Sequence, residues 1–192
     1  MIARRLLPWA GLGAGLALLS ACAAPPLVVY TLGAPGAEVD TPLPGNANVI
    51  ELQRVVVPDF LDTEEIFTRD GEVLRRSARG RWASRLSLSA TYFIRDQLAL
   101  AHPEALVTAQ RPVDTPMDRI AVTISTLDVT TRGEGVLVAD WTILPSNPQF
   151  AVRHERARFT TTGPVATDQQ VVAMVRGLLT QLARAIDVGG LR

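Results

Sequence analysis

Residues 119–144 read RIAVTISTLDVTTRGEGVLVADWTIL, and this stretch decides the fold. In the extended stretches 119–129 and 135–144, apolar residues recur at every second position from 120 to 124 and from 137 to 143, which is typical of strands that bury one face. Residues 131–135, between them, contain two glycines and suit a hairpin loop. We therefore predict two antiparallel strands whose inward faces carry Ile120, Val122, Ile124, Leu137, Ala139, Trp141 and Ile143.

A third extended stretch, 149–162, follows the turn residues Pro145–Pro148. One of its faces would carry basic side chains and the other a mixture of charged and aromatic ones, so it is too polar for the centre of a core. We predict a strand that faces solvent or is covered by another subunit. The two faces are His154, Arg156 and Arg158 on one side, and Arg153, Glu155 and Phe159 on the other.

Two shorter extended runs lie near the N-terminus, at residues 27–32 and 49–57. Both are rich in β-branched residues, and Pro58 ends the second because proline has no N–H to donate to a sheet. Residues 33–48, between the runs, are rich in Gly, Pro and Ala and are interpreted as a flexible loop.

Residues 66–75 have the pattern of a hairpin. The dipeptide Asp70-Gly71 separates the two apolar-containing runs and suits the positive φ angles of a type I′ turn. Residues 106–108 are predicted to form one further short strand.

Two segments have helical periodicity. In residues 82–101, apolar side chains recur every three or four positions up to the break before Pro103. The second helix begins at a capping box of Thr167 and Gln170, and Gly189-Gly190 would end it. Its apolar stripe is Val171, Met174, Val175, Leu178, Leu182 and Ile186.

Two helices with single apolar faces need a sheet to cover. The predicted fold class is therefore α+β, an α/β sandwich in which two amphipathic helices pack on one mixed, largely antiparallel sheet. Residues 27–192 would form this single domain, since no internal repeat and no change in amino-acid composition divides them.

The N-terminus predicts export. Arg4 and Arg5 precede the apolar run 6–19, which has the length of a signal-peptide core and is too short for a bilayer span. Leu19-Ser20-Ala21-Cys22 then resembles a lipobox. We predict a signal peptide at 1–21, acylation of Cys22 and a lipidated tether at 22–26; an ordinary signal peptide or an uncleaved anchor is the alternative.

The composition narrows the range of possible functions. Cys22 is the only cysteine, so no disulfide can form within one molecule. The basic residues are all arginine, and cleavage of the signal would leave 17 of them against 19 acidic residues, a net charge that makes nucleic acid an unexpected partner.

The sequence offers little for catalysis. Without lysine there is no phosphate-binding loop, and His102 and His154 lack the spacing of metal ligands. The acidic residues Asp59, Asp62, Glu64 and Glu65 lack the glycine and the alternation of a calcium loop. We predict no enzymatic activity, metal or cofactor, and the sequence suggests no role for Asp140.

Several short motifs together resemble the ABC-transport auxiliary lipoproteins of the PqiC type. They are Tyr30-Thr31-Leu32, the turn Pro58–Asp62, the hairpin at 66–75 and Arg81-Trp82-Ala83 at the predicted helix start. The sequence departs from this family at Ser84-Arg85, where an acidic residue and proline are common.

This resemblance implies a non-catalytic subunit of an MCE-type lipid-transport system, which docks with a periplasmic MCE protein and is able to form a homo-oligomer. Ala23 after the acylated cysteine implies sorting to the outer membrane. An assembly or activator lipoprotein of another envelope complex and a lipid-anchored hydrolase remain alternatives. The partner-binding residues suggested are Asp59, Phe60, Leu61 and Glu64, although Phe60 or Leu61 could instead close the core.

Overall fold

The computed structural model describes residues 26–33 and 42–188. In that part of the chain, eight strands and two helices follow in the order β1 Val28–Tyr30, β2 Val49–Leu52, β3 Glu65–Asp70, β4 Val73–Trp82, α1 Leu86–Ala101, β5 Leu106–Thr108, β6 Asp118–Val129, β7 Glu134–Pro145, β8 Arg153–Thr162 and α2 Asp168–Ala185. The α+β class predicted from the sequence is confirmed.

A five-stranded sheet in the order β5-β2-β6-β7-β8 forms the centre of the molecule. β6, β7 and β8 are antiparallel, whereas β2 runs parallel to both β5 and β6, so the sheet is mixed. The inward residues predicted for β6 and β7 are all buried. A bulge between Ile124 and Thr126 shifts the alternation by one residue, and Leu127 and Val129 then point inward.

Both helices pack on the same face of this sheet, with α2 over β6, β7 and β8 and α1 between α2 and β5. The capping box of α2 is present: the Thr167 hydroxyl accepts a hydrogen bond from the N–H of Gln170, and the Gln170 side chain accepts one from the N–H of Thr167. The six apolar residues predicted for its stripe are buried.

Three further strands form a separate sheet in the order β1-β4-β3. The prediction of one sheet is therefore wrong in this respect. β4 continues beyond the hairpin to Trp82 and pairs in parallel with β1, a long-range pairing that local periodicity does not reveal. The two sheets meet where the N–H of Thr131 donates to the carbonyl of Arg69.

The three-stranded sheet is also fastened to the start of α2. The Ser77 hydroxyl donates to Asp168 at 2.8 Å and accepts from the N–H of Gly80 at 2.8 Å. A Cβ at Gly80 would lie 2.5 Å from the Asp168 carboxylate, so a larger residue here would have to displace that side chain and its hydrogen bond with Ser77.

Two predicted boundaries are wrong. The helix predicted from Trp82 begins at Leu86, because Trp82 is still paired with Tyr30 as the last residue of β4. The strand predicted for 49–57 ends at Leu52, because the N–H of Val55 turns away from the sheet and donates to the Thr91 hydroxyl of α1.

The β3–β4 hairpin is confirmed, but its turn is not of type I′. Asp70 pairs with Val73, so the loop consists of Gly71 and Glu72. Only Gly71 of these two has a positive φ, 58°, as a type II′ turn requires at its first central residue.

Several predictions fall outside the described residues: the signal peptide, Cys22, most of the tether, residues 34–41 of the loop, and Gly189-Gly190. The part of the 33–48 loop that is described contains the expected turn, in which the N–H of Ala47 donates to the carbonyl of Pro44. Neither of the described helices combines the length and the apolarity needed to cross a membrane.

The facing of α2 can be tested with a pair of variants. Leu182→Asp places a carboxylate at a fully buried position and is expected to unfold the domain or to lower its free energy of unfolding by about 4 kcal/mol. Gln181→Asp, at a partly exposed neighbouring position, should change it by less than about 1 kcal/mol. Equal midpoints in urea unfolding would contradict this facing.

Candidate partner-binding site

The turn that follows β2 separates the four predicted partner-binding residues. Hydrogen bonds from the N–H of Leu61 to the Pro58 carbonyl and from that of Asp62 to the Asp59 carbonyl close the turn. Phe60 is left 53% exposed, whereas Leu61 is only 5% exposed and belongs to the core cluster. Leu61 is thus placed to close the core, and a direct docking role does not fit its position.

Asp59 and Glu64 flank Phe60 in sequence and are exposed. Neither side chain forms an ion pair with another residue of the described part of the chain, so both carboxylates face solvent. The structure therefore presents one aromatic side chain between two solvated acidic ones, which is the composition of an apolar anchor with a polar rim.

The other two acidic residues of this region have structural roles that the sequence did not reveal. Asp62 accepts a hydrogen bond from the N–H of Ser87 at 3.1 Å, in the first turn of α1. The N-cap residue Arg85 supplies no side-chain cap and the first turn contains no acidic residue, so Asp62 serves as the cap from 25 residues away. Glu65 pairs with Arg81 at 3.0 Å.

The surroundings of Asp62 favour its charged form. Partial burial acts to raise the pKa of this carboxyl, but hydrogen bonds from Ser87 and the nearby charges of Arg54 and Arg85 outweigh it, and the pKa lies below its ordinary value. The guanidinium groups lie 4.0 Å and 3.8 Å from the carboxylate. Arg54 also donates to the Ser87 hydroxyl at 2.8 Å, which ties the end of β2 to the same helix turn.

The face of the five-stranded sheet opposite the helices carries polar pairs between neighbouring strands. Arg156 of β8 donates to Asp140 of β7, and this hydrogen bond and the charge of Asp140 raise the pKa of the guanidinium. Asp140, for which the sequence suggested no role, is therefore a cross-strand partner. His154 of β8 shares a hydrogen bond of 2.9 Å with the hydroxyl of Thr142.

β8 is one of the two edge strands of this sheet. His154, Arg156 and Arg158 are exposed, as predicted, and the alternate residues are partly buried. His102, the second histidine, lies 3.7 Å from Glu104. Within residues 26–33 and 42–188, no three His, Cys, Asp or Glu side chains are grouped so that they could hold a metal ion.

A family model described as the ABC-type transport auxiliary lipoprotein component matches residues 30–187. No curated protein has a significantly similar sequence. The crystal structure of an uncharacterized protein is similar with a TM-score of 0.68 and 16% identity, over 84% of this chain and 97% of that one. A Xanthomonas campestris protein of the DUF330 family is similar with a TM-score of 0.55 and 12% identity, over 83% and 89%. At these identities the two structures show the fold alone.

The capping role of Asp62 leads to a prediction about stability. Asp62→Ala should lower the free energy of unfolding at neutral pH by about 1 kcal/mol, the usual effect of a lost helix cap. Because the pKa of Asp62 is lowered in the folded state, its contribution is present above the unfolded-state value of about 3.9 and is lost as the pH falls through the folded value.

Urea unfolding at neutral pH and near pH 3 measures both effects. Asp62→Asn keeps an acceptor for the Ser87 N–H, so it should remove only the pH-dependent part of the contribution that Asp62 makes to the free energy of unfolding. Asp59→Ala, at an exposed position of the same turn, is the control and should leave the unfolding midpoint unchanged. A wild-type advantage over Asp62→Ala that stays constant across this pH range would refute the electrostatic part of the argument.

Proposed function

The chain belongs to the family of ABC-type transport auxiliary lipoprotein components, and from this membership we propose that it is a non-catalytic, lipid-anchored subunit of an MCE-type ABC lipid-transport system. The observation that carries the proposal is the family match over residues 30–187, which includes nearly all of both sheets and both helices. A lipobox-like sequence at residues 19–22 precedes this region and supplies the means of anchoring.

Acylated Cys22 is proposed to hold the domain at the periplasmic face of the outer membrane. Several acyl chains on one residue anchor a protein firmly, whereas a single chain of myristoyl length binds only marginally. Ala23 at the position after the cysteine supports outer-membrane sorting by the resemblance described above. The β1 strand starts six residues after Cys22, so the folded domain would lie close to the anchor.

The turn around Phe60 is proposed to dock with a periplasmic MCE-family protein. Three features support this. Phe60 is an exposed aromatic side chain, and Asp59 and Glu64 lie near it in sequence and make no ion pair within the described residues. Buried Leu61 and the hydrogen bond of Asp62 to α1 fix the turn to the domain. A preorganised turn loses little conformational entropy when it binds. In such a transport system, a separate ATPase would supply the energy for moving lipid.

Edge strand β8 is proposed as a contact between copies of the chain if the protein forms a homo-oligomer. An edge strand presents unpaired backbone groups to a neighbour, and soluble proteins often protect such edges with charge. The exposed His154, Arg156 and Arg158 either provide this protection or meet acidic groups of a second copy.

Anchoring can be tested on the protein extracted from membranes. We expect intact-mass analysis to show cleavage before Cys22 and the added mass of acyl chains, and density-gradient fractionation to place the protein in the outer membrane. Cys22→Ser should abolish acylation and recovery in the outer membrane, because the residue that would carry the acyl chains is lost. An unmodified Cys22 would contradict the anchor, and recovery in the inner membrane would contradict the sorting.

Docking can be tested by capture of an MCE-family protein from detergent-solubilised envelopes. The double variant Asp59→Arg and Glu64→Arg should keep its melting temperature within a few degrees, because both residues are exposed, but should bind at least fivefold more weakly, about 1 kcal/mol. Phe60→Ala should weaken capture at least as much, since it removes the apolar anchor.

The matched control reverses two acidic residues elsewhere. Glu72 and Asp114 are also exposed and make no ion pair within the described residues, so Glu72→Arg with Asp114→Arg changes the net charge equally without touching the turn. If wild-type protein captures no MCE-family protein, the transport proposal fails. If both double variants bind as wild type does, only the assignment of the Phe60 turn as the docking surface fails.

A further inference from the structure

The first strand of the domain exposes an unusual amount of apolar surface. Leu27, Val28 and Val29 are consecutive in sequence and are 63%, 42% and 62% exposed. Side chains normally alternate between the two faces of a sheet, so a run of this kind leaves both faces of β1 uncovered. Exposed apolar edge strands promote aggregation unless something covers them.

Within residues 26–33 and 42–188, the position of β1 explains why it is left uncovered. β1 is an edge strand of the three-stranded sheet, paired only with β4 within the described chain, with Val28 opposite Gly80 and Val29 opposite Arg81. Beyond it, Leu32 enters the core and is 1% exposed. The C-terminal end of β1 is thus fixed to the domain, and its N-terminal end faces outward.

Positive charge lies beside this apolar run. Arg79 precedes the residue paired with Val28, is exposed, and makes no ion pair with another described residue. Farther along β4, the side chains of Arg75 and Arg76 are both 62% exposed, although each also has an acidic neighbour. An apolar edge next to an unpaired guanidinium matches the interface of an anionic bilayer, which takes up both kinds of side chain.

The chain length before β1 brings it within reach of a bilayer. Leu27 follows Cys22 by five residues, and each residue spans at most about 3.6 Å, so Leu27 lies within about 18 Å of an acylated Cys22. The polar headgroup layer is about 5–8 Å thick on each side of the hydrocarbon core. A tether that runs along the membrane surface, or that rises from it by less than about 8 Å, places β1 at the headgroups.

We propose that Leu27, Val28, Val29 and Arg79 form a face that rests on the anionic membrane to which Cys22 is anchored. This inference depends on the acylation proposed above. Contact with the bilayer would cover the exposed edge and fix the orientation of the domain. The N–H of Trp82 donates to the carbonyl of Glu64 at the other end of the β1–β4 pair, so the Phe60 turn would lie on the side of β1 that is farther from the anchor.

Site-specific fluorescence tests this orientation in the full, acylated protein. Acylation of the only native cysteine leaves an introduced one as the only free thiol. Val29→Cys is labelled with an environment-sensitive dye and reconstituted in phosphatidylethanolamine–phosphatidylglycerol vesicles that contain a lipid-borne quencher. Val73→Cys is the matched control, because Val73 is a valine of the same sheet with 58% exposure at the hairpin end.

We expect the dye at position 29 to be quenched several-fold more strongly than the dye at position 73. Arg79→Glu should weaken the quenching at 29, whereas Arg111→Glu, which reverses another exposed and unpaired arginine, should not. Equal quenching at 29 and 73 in vesicle-bound protein would overturn the inference, as would a dye at 29 that is shielded from water but not quenched, since a second protein chain would then cover β1.

Flotation of the vesicles separates this inference from the proposal on which it depends. Protein that does not float with the vesicles lacks the anchor, and both ideas then fail. Protein that floats but shows no preferential quenching at position 29 keeps the anchor and loses only the membrane-contacting face.

Discussion

The structure depends on one constraint: two amphipathic helices must bury their apolar faces, and a single face of the five-stranded sheet accommodates both. Leu178, Leu179 and Leu182 of α2 are completely buried there, as are Leu137 and Ile143 of β7 beneath them. Because all of the helical material lies on one side, the opposite face of the sheet and its edges stay available for contacts.

The sequence predicted well those elements whose signals are local. The alternation in β6 and β7 and the capping box of α2 are each carried by residues that are close together in sequence. The structure confirms both. Pairings between distant residues were not accessible in this way. Trp82 fits a strand end as well as a helical stripe, and only its pairing with Tyr30, more than 50 residues earlier, decides between the two.

The acidic turn shows that long-range contacts also decide the roles of individual side chains, which the sequence did not reveal. From the sequence, Asp59, Asp62, Glu64 and Glu65 formed one cluster, and Phe60 and Leu61 were interchangeable. The fold divides both sets, because Asp62 caps α1, Glu65 pairs with Arg81, and Leu61 enters the core. Asp59, Phe60 and Glu64 are the residues of this turn for which the described structure shows no such structural role.

The apolar surface that remains exposed follows from the way the two sheets are joined. β4 must run to Trp82 to reach the turn before α1, and along the way the Ser77 hydroxyl binds it to Asp168 at the start of α2. β3 pairs with one edge of β4, and β1 pairs with the other and forms the uncovered edge of the sheet. Since Tyr30 and Leu32 already enter the core, β1 cannot move inward to hide Leu27 and Val29. Within the described residues, nothing else covers these two side chains, and this exposed edge is the observation from which the membrane-contacting face is proposed.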